Sequence, residues 1–261
     1  MTKIDVLDKG YVRLVDTLGD DLRVVNAARV SYDKASTKFE DRDAKLLSFL
    51  LREGHTSVLR HAALTFEGYV PLIVARQWYK HAVGTTYLED QNGWNESSRR
   101  YVTEDEQFYL PGEGDWRSKP ANSKQGSGAN IASVTQEQWL AFQSSDYTEP
   151  VIEGQGWTEP EALGNFWTEE LRAHQDQGER LYQRAMEAGI APEQARLFLA
   201  ANGLYVRFYW TTSLAALIHF LELRDDAHAQ WEIQEFARAL RALAEPVFPN
   251  TFAALKELKN G

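Results

Sequence analysis

The stretch LTFEGYVPLIVARQWYKH, Leu64 to His81, changes character at Pro71, and its two halves decide the fold class. Leu64 to Val70 is short and rich in aromatic and aliphatic β-formers, which predicts a strand. Pro71 suits the first turn of a helix running to about Lys80, because that turn needs no backbone N–H from it. Leu72, Ile73, Ala75 and Trp78 are core candidates, while Arg76, Gln77, Lys80 and His81 gather at the C-terminal end. Basic residues there also interact favourably with the helix dipole.

Upstream, residues 3–17 alternate apolar and polar around Gly10 and predict two short strands or a hairpin. Asp20-Asp21 can cap a helix to about Val30. Glu40 to Glu53 carries Leu46, Leu47, Leu50 and Leu51 as an apolar stripe, and Gly54 ends it. GHTSVLRH, Gly54 to His61, reads as a loop supplying histidines, hydroxyls and an arginine.

Downstream, Thr85 to Gly93 reads as a polar loop, followed by NESSRRYV. Helices are expected from Pro160 to Gly189, from Pro192, from Thr212 to Arg224 and from Ala227 to Leu243. Leu204 to Thr211 reads as a strand. The class is α+β, several helices around a modest sheet, in one domain over residues 1–261. From about 112 to 158, Gly, Ser, Asn, Gln and Pro dominate. Too few apolar residues remain there for a separate core, so the segment reads as an ordered excursion or flap rather than a boundary.

A net charge of −10 argues against a nucleic-acid partner and confines any anion site to a local pocket of positive potential. The absence of cysteine removes disulfides, thiolate metal sites and any thiolate nucleophile. No apolar run approaches the roughly 20 residues of a membrane span. The charged, alternating N-terminus is unlike a signal peptide, so a soluble, cytoplasmic protein is expected.

No GxGxxG, Walker A, HExxH or GxSxG pattern occurs. His228 and Glu232 stand four apart, a single pair that falls short of a metal site. Residues 76–101 bring Arg76, Lys80, His81, Arg99 and Arg100 together with Gln77, Asn95, Ser97, Ser98 and five Trp or Tyr residues. Cations, fork-shaped donors, hydroxyls and flat rings suit a phosphorylated, planar heterocycle. The competing reading is a helix end and a polar loop, with solvated charges and core-packed rings. Arg224, beside Asp225-Asp226, is either part of a surface ion pair or an arginine at the mouth of a pocket.

KIDVLDKGYVRLVDTLGDDL, AARVSYD, LIVARQWYKH, NESSRRY, YVRFYWT and LRDDAHAQWEI, in that order, resemble the flavin-dependent thymidylate synthases. The likeness runs end to end apart from about 112–158. It implies a mixed α/β fold of that family's own and a homotetramer with shared active sites. It implies FAD as cofactor, 5,10-methylenetetrahydrofolate and NADPH as cosubstrates, and a pyrimidine monophosphate, dUMP, methylated at C5. The missing cysteine is consistent with this, since the other thymidylate synthase class needs a cysteine nucleophile.

On that resemblance the nucleotide side comprises Gln77, Lys80, Glu96, Ser97, Ser98, Arg99, Arg100 and Arg196. Arg224 takes the catalytic role of contacting the uracil ring and favouring ionisation at N3, as a fixed guanidinium can. The flavin side comprises Ser31, Ser57, Lys80, His81, Glu96, Ser213 and His219. Departures concentrate on that side. Lys80-His81-Ala82 replaces the family's RHR, with about eight extra residues before Asn95. Ser213, Ala215 and His219 replace Asn-x-Arg and a later Asn, and Arg60 stands where an acidic residue is usual. The departures leave two alternatives open: the same chemistry on UMP, and a non-catalytic nucleotide-binding paralogue.

Overall fold

The computed structural model of the protein describes residues 3–30, 34–83, 86–88, 91–92, 94–97, 107–112, 114–120, 126–128 and 160–260. The chain divides into two compact units, residues 1–106 with 205–261, and residues 107–204.

The first unit is built on an antiparallel sheet of β1 (Lys3–Val6), β2 (Gly10–Leu18), β3 (Ala63–Pro71), β7 (Tyr205–Ser213) and β6 (Trp94–Glu96), in the order β1-β2-β3-β7-β6. The expected hairpin is β1 and β2, with Gly10 opposite Val6. A Cβ at Gly10 would lie 2.8 Å from the Val6 carbonyl oxygen and 2.9 Å from that of Tyr69, so the close approach requires glycine. The central pair β3–β7 runs unbroken from Ala63↔Ser213 to Pro71↔Tyr205. Alternation puts Val12, Phe66, Phe208 and Trp210 on one face, all fully buried under helices. The other face carries Tyr11, Arg13, Glu67, Tyr69, Arg207 and Tyr209. Burial alone would raise the Glu67 pKa, but the Tyr11 hydroxyl at 2.6 Å and the Arg13 guanidinium hold it below its usual value.

The helices of this unit are α1 (Asp21–Arg29), α2 (Asp41–Arg52), α3 (Leu72–Trp78), α6 (Leu214–Arg224), α7 (Trp231–Ala244) and α8 (Pro249–Asn260). The first five fall on the stretches expected to be helical. Residues 227–230 precede α7 rather than starting it, and α8 was not anticipated. GHTSVLRH is not an open loop, since Thr56–His61 forms a 3-10 turn that buries Val58 and Leu59. Thr85 to Gly93 is not simply a polar loop either, because β4 (Thr86–Leu88) and β5 (Gln91–Asn92) pair within it. Trp94 pairs with Trp210, so the start of the NESSRRY region is a sheet edge.

The Asp20-Asp21 pair caps two helices. Asp20 accepts from Arg23 N at 3.1 Å and starts α1. Asp21, 3% exposed, accepts from the backbone N–H groups of Asn250 and Thr251 at 2.7 and 3.1 Å, and from the Thr251 hydroxyl at 2.6 Å. It serves as the cap of α8 from the opposite end of the chain. Asp21→Ala leaves those buried donors unpaired and is expected to cost about 2–3 kcal/mol of stability. Urea unfolding with an unchanged slope and a lower midpoint is the check.

The second unit contains the long helix α4 (Pro160–Glu187), the single turn α5 (Pro192–Ala195) and a 3-10 turn over Arg196–Phe198. The helix expected from Pro192 is therefore only one turn long before it tightens. Gln175, buried on α4, donates to the Tyr109 carbonyl at 2.9 Å, and Thr168 donates to that of Pro111 at 2.9 Å. A Cβ at Gly178 would lie 2.7 Å from the Phe198 carbonyl oxygen, which fixes how closely α4 packs on the turn.

No helix among the described residues is long and apolar enough to cross a membrane.

Candidate functional site

The first unit holds a cavity of 990 Å³, at the upper end of the range of about 300–1,000 Å³ usual for small-molecule sites. Its apolar wall comes from Leu18, Leu51, Leu59, Ile218, Leu255 and Leu258. Its polar wall comes from Arg23 of α1, Thr56, Arg60 and His61 of the 3-10 turn, Ser213, His219 and Glu222 of β7 and α6, and Lys259 of α8. A second cavity of 400 Å³ shares Ile218, Glu222, Leu255 and Lys259 with the first.

Helix α6 joins this cavity to a cationic centre. Five of its residues are buried, and its first turn is capped by the Ser213 hydroxyl, which accepts from Ala216 N at 3.2 Å. One face turns Ala215, Ala216, Ile218, His219 and Glu222 to the cavity. At the last turn, Arg224 donates from Nε to His81 Nε2 at 3.0 Å. This bond requires Nε2 to be unprotonated, so the ring is neutral. Burial, with the charge of Arg224 and nearby His219, pushes the His81 pKa down to about 4. Burial also lowers the Arg224 pKa from its usual value, and the guanidinium nonetheless stays charged. The His81 ring lies 4.8 Å from Phe220 and 6.2 Å from His219, which links the cation to the cavity wall.

α3 delivers His81 and Gln77. Trp78, fully buried among Phe208, Trp210, Phe220 and Phe236, anchors that helix. The chain tightens after it, with His81 N bonded to the Trp78 carbonyl at 3.0 Å. The Gln77 amide donates to Gln230, which in turn donates to Glu232 at 2.7 Å. Lys80 is exposed one residue before His81. Burial pushes the Tyr79 phenol pKa up, and the Glu96 carboxylate adds to the rise. Glu96 is therefore near α3, while Ser97 is fixed through its N–H to the Arg207 carbonyl at 2.8 Å.

Of the residues expected to bind a ligand, the structure brings His81 and Arg224 into contact and places Ser213 and His219 in the cavity wall. Ser57 is exposed on the same turn as Thr56, which lines the cavity while Ser57 does not. Arg196 belongs to the second unit, where its Nε donates to the Pro192 carbonyl at 3.4 Å. Ser31, Ser98, Arg99 and Arg100 lie outside the described residues. Sequence reasoning missed Arg23, Thr56, Glu222 and Lys259. Lys259 had a discoverable signal, because Pro249 followed by Phe252 and Leu255 at helical spacing announces its helix. Arg23 had none beyond being a polar position of an amphipathic helix.

The donor set fits a planar, phosphorylated group, with an apolar wall for the ring, and hydroxyls and cations for anionic oxygens. Among the described residues no cluster of three or more His, Asp or Glu side chains could hold a metal ion.

Comparison with known proteins agrees with this geometry. The family model of the thymidylate synthase complementing protein matches residues 13–250. A flavin-dependent thymidylate synthase from Thermosipho africanus is 34% identical over 95% of this chain and 92% of its own length. One from Thermus thermophilus is 36% identical over 97% of this chain and 78% of its own length. Among solved structures, a UMP/dUMP methylase, PolB, from Streptomyces cacaoi bound with 5-Br dUMP superposes with a TM-score of 0.69. It is 26% identical and 97% of each chain is covered. The same protein bound with 5-Br UMP gives 0.67. With most of its length matched by one family model and by relatives more than a third identical, the chain belongs to the thymidylate synthase complementing protein family.

Proposed function

We propose that this protein is a flavin-dependent methyltransferase acting at C5 of a uridine monophosphate, dUMP or UMP. One observation carries the reading: α6 lines a cavity of cofactor size and also presents, one turn on, a guanidinium fixed by a neutral histidine. In this reading the cavity takes the cofactor and Arg224 meets the pyrimidine.

When bound and reduced by NADPH, FAD would supply the hydride that completes a methyl group whose carbon 5,10-methylenetetrahydrofolate would donate, leaving as tetrahydrofolate. The residues of this chain bind and orient. His81 takes up the Nε–H of Arg224 and leaves the two terminal nitrogens of the guanidinium for the ring carbonyl and N3. A cation held there in a partly desolvated setting stabilises negative charge developing on the pyrimidine. Gln77, Lys80, Glu96, Ser97, Ser98, Arg99, Arg100 and Arg196 are assigned to the nucleotide. Ser31, Ser57, Lys80, His81, Glu96, Ser213 and His219 are assigned to the flavin. With no cysteine, no thiolate of this chain can add to the ring. The active form is read as a cytoplasmic homotetramer with active sites shared between subunits.

UMP is a specific rival to dUMP because PolB, at 26% identity, was solved with a 5-bromo analogue of each. The deciding assay supplies methylenetetrahydrofolate, NADPH and either nucleotide, and follows the 5-methyl product. Methylation of at least one is expected, and methylation of neither overturns the proposal. Flavin bands in the absorption spectrum of the purified protein eliminate the non-catalytic, flavin-poor alternative.

A further inference from the structure

Three cations of this protein converge on one cavity from three separate elements: Arg23 from α1, Arg60 from the 3-10 turn and Lys259 from the last turn of α8. In a chain of net charge −10, such a concentration runs against the overall balance. None of the three has a carboxylate oxygen within 4.0 Å among the described residues, and the only carboxylate felt by one of them is Asp226, outside the cavity wall, whose pKa Lys259 helps to lower. Arg23 is also oriented: its Nε donates to the His61 carbonyl at 2.6 Å, which leaves its terminal nitrogens free to bind an anion. Apolar side chains flank the cations in an equally unfinished state, with Leu18 and Leu258 of the same wall 44% and 42% exposed. Solvated surface charge accounts for any one of these cations, but not for three without a direct ion pair among the described residues, beside exposed leucines around a single cavity.

We infer that Arg23, Arg60 and Lys259 form a phosphate clamp of this chain's own, holding the phosphates of the flavin nucleotide while the apolar wall covers its ring. The inference rests on the flavin reading of the cavity and adds which residues hold the cofactor. It gives the departures a physical compensation. Ala215 and Ala82 carry no charge where the family usually has arginine, and the cavity recovers positive charge from other elements. Two guanidiniums and one ammonium suit this task, since the forks pair bidentately with phosphate oxygens and the ammonium acts as a point charge.

The test is flavin binding by the full chain, freed of flavin and titrated with FAD and with riboflavin, following flavin fluorescence. Wild type is expected to bind FAD more than about tenfold tighter than riboflavin. Arg60→Ala and Lys259→Ala are each expected to weaken FAD about ten- to a hundredfold while leaving riboflavin within about twofold. Arg60→Lys should recover part of the loss. Both side chains are exposed, so thermal midpoints should stay unchanged, and this separates lost binding from lost folding. Unchanged FAD affinity in both alanine variants, or equal losses for FAD and riboflavin, overturns the clamp alone. A wild-type protein that binds neither flavin overturns the functional reading with it.

Discussion

Arg224→Ala is expected to lower turnover about 10²–10³-fold, with Arg224→Lys close behind, while the protein stays folded. The loss is large because a fixed guanidinium beside a neutral ring cannot be replaced by water or by a mobile ammonium. The fold tolerates the change, because Arg224 bonds to His81 at the end of a helix held elsewhere by Leu214, Leu217, Phe220 and Leu221. Loss of a cation at a helix C-terminus costs about 0.3–1 kcal/mol. Steady-state kinetics beside a thermal melt separate the two effects, and unchanged turnover sinks the assignment. The pH profile carries a second check. With its pKa pushed to about 4 rather than 6.5, His81 stays neutral through most of the acid range. Between those two values the unfolded chain binds a proton that the folded one refuses, so stability falls as pH drops through this window. An acid limb of kcat/KM near 6.5 that disappears in His81→Gln would contradict the buried, neutral ring.

Trp78→Ala is expected to be the most destabilising single change in the first unit, at about 3–5 kcal/mol. The ring is fully buried and lies 5.1–5.3 Å from Phe208, Trp210 and Phe220. Because α3 leads directly into His81, the cavity left behind also loosens Arg224, and activity should fall beyond the loss of folded protein. Trp78→Phe should cost less than half as much. The indole Nε1 is buried without an acceptor among the described residues, and phenylalanine removes that donor along with some volume. Thermal melts and residual activity at low temperature give both numbers, and a melting shift of under about 2 °C for Trp78→Ala contradicts the assignment.

Local chemistry explains what could be read from the sequence. The hairpin around Gly10, the α2 stripe of leucines and the strand-to-helix change at Pro71 announce themselves through period and turn residues within a few positions. Pairing across distance does not. Nothing in Trp94 says that it will face Trp210, and Asp21 reads as the start of α1 although its carboxylate serves α8. The site divides the same way. Arg224 and His81 were legible as individual members of family-like segments, but their contact joins positions 143 residues apart. Arg23 carried no sign of lining a cavity and Lys259 only the sign of its helix, because both take their place from a cavity assembled by α1, α6, α8 and the 3-10 turn.

The pairing of β3 with β7 has a consequence for biosynthesis. The strand Ala63–Pro71 leaves the ribosome long before its central partner Tyr205–Ser213 is made. At 5–20 residues per second the interval is on the order of ten seconds. Throughout it, the nascent β1-β2-β3 meander presents an unpaired edge bearing Leu64, Phe66 and Val70, the kind of edge that recruits other chains. Overexpression should strain this step first, and a holdase acting on the nascent chain should raise the recovered yield, whereas slowing translation prolongs the exposure and should lower it.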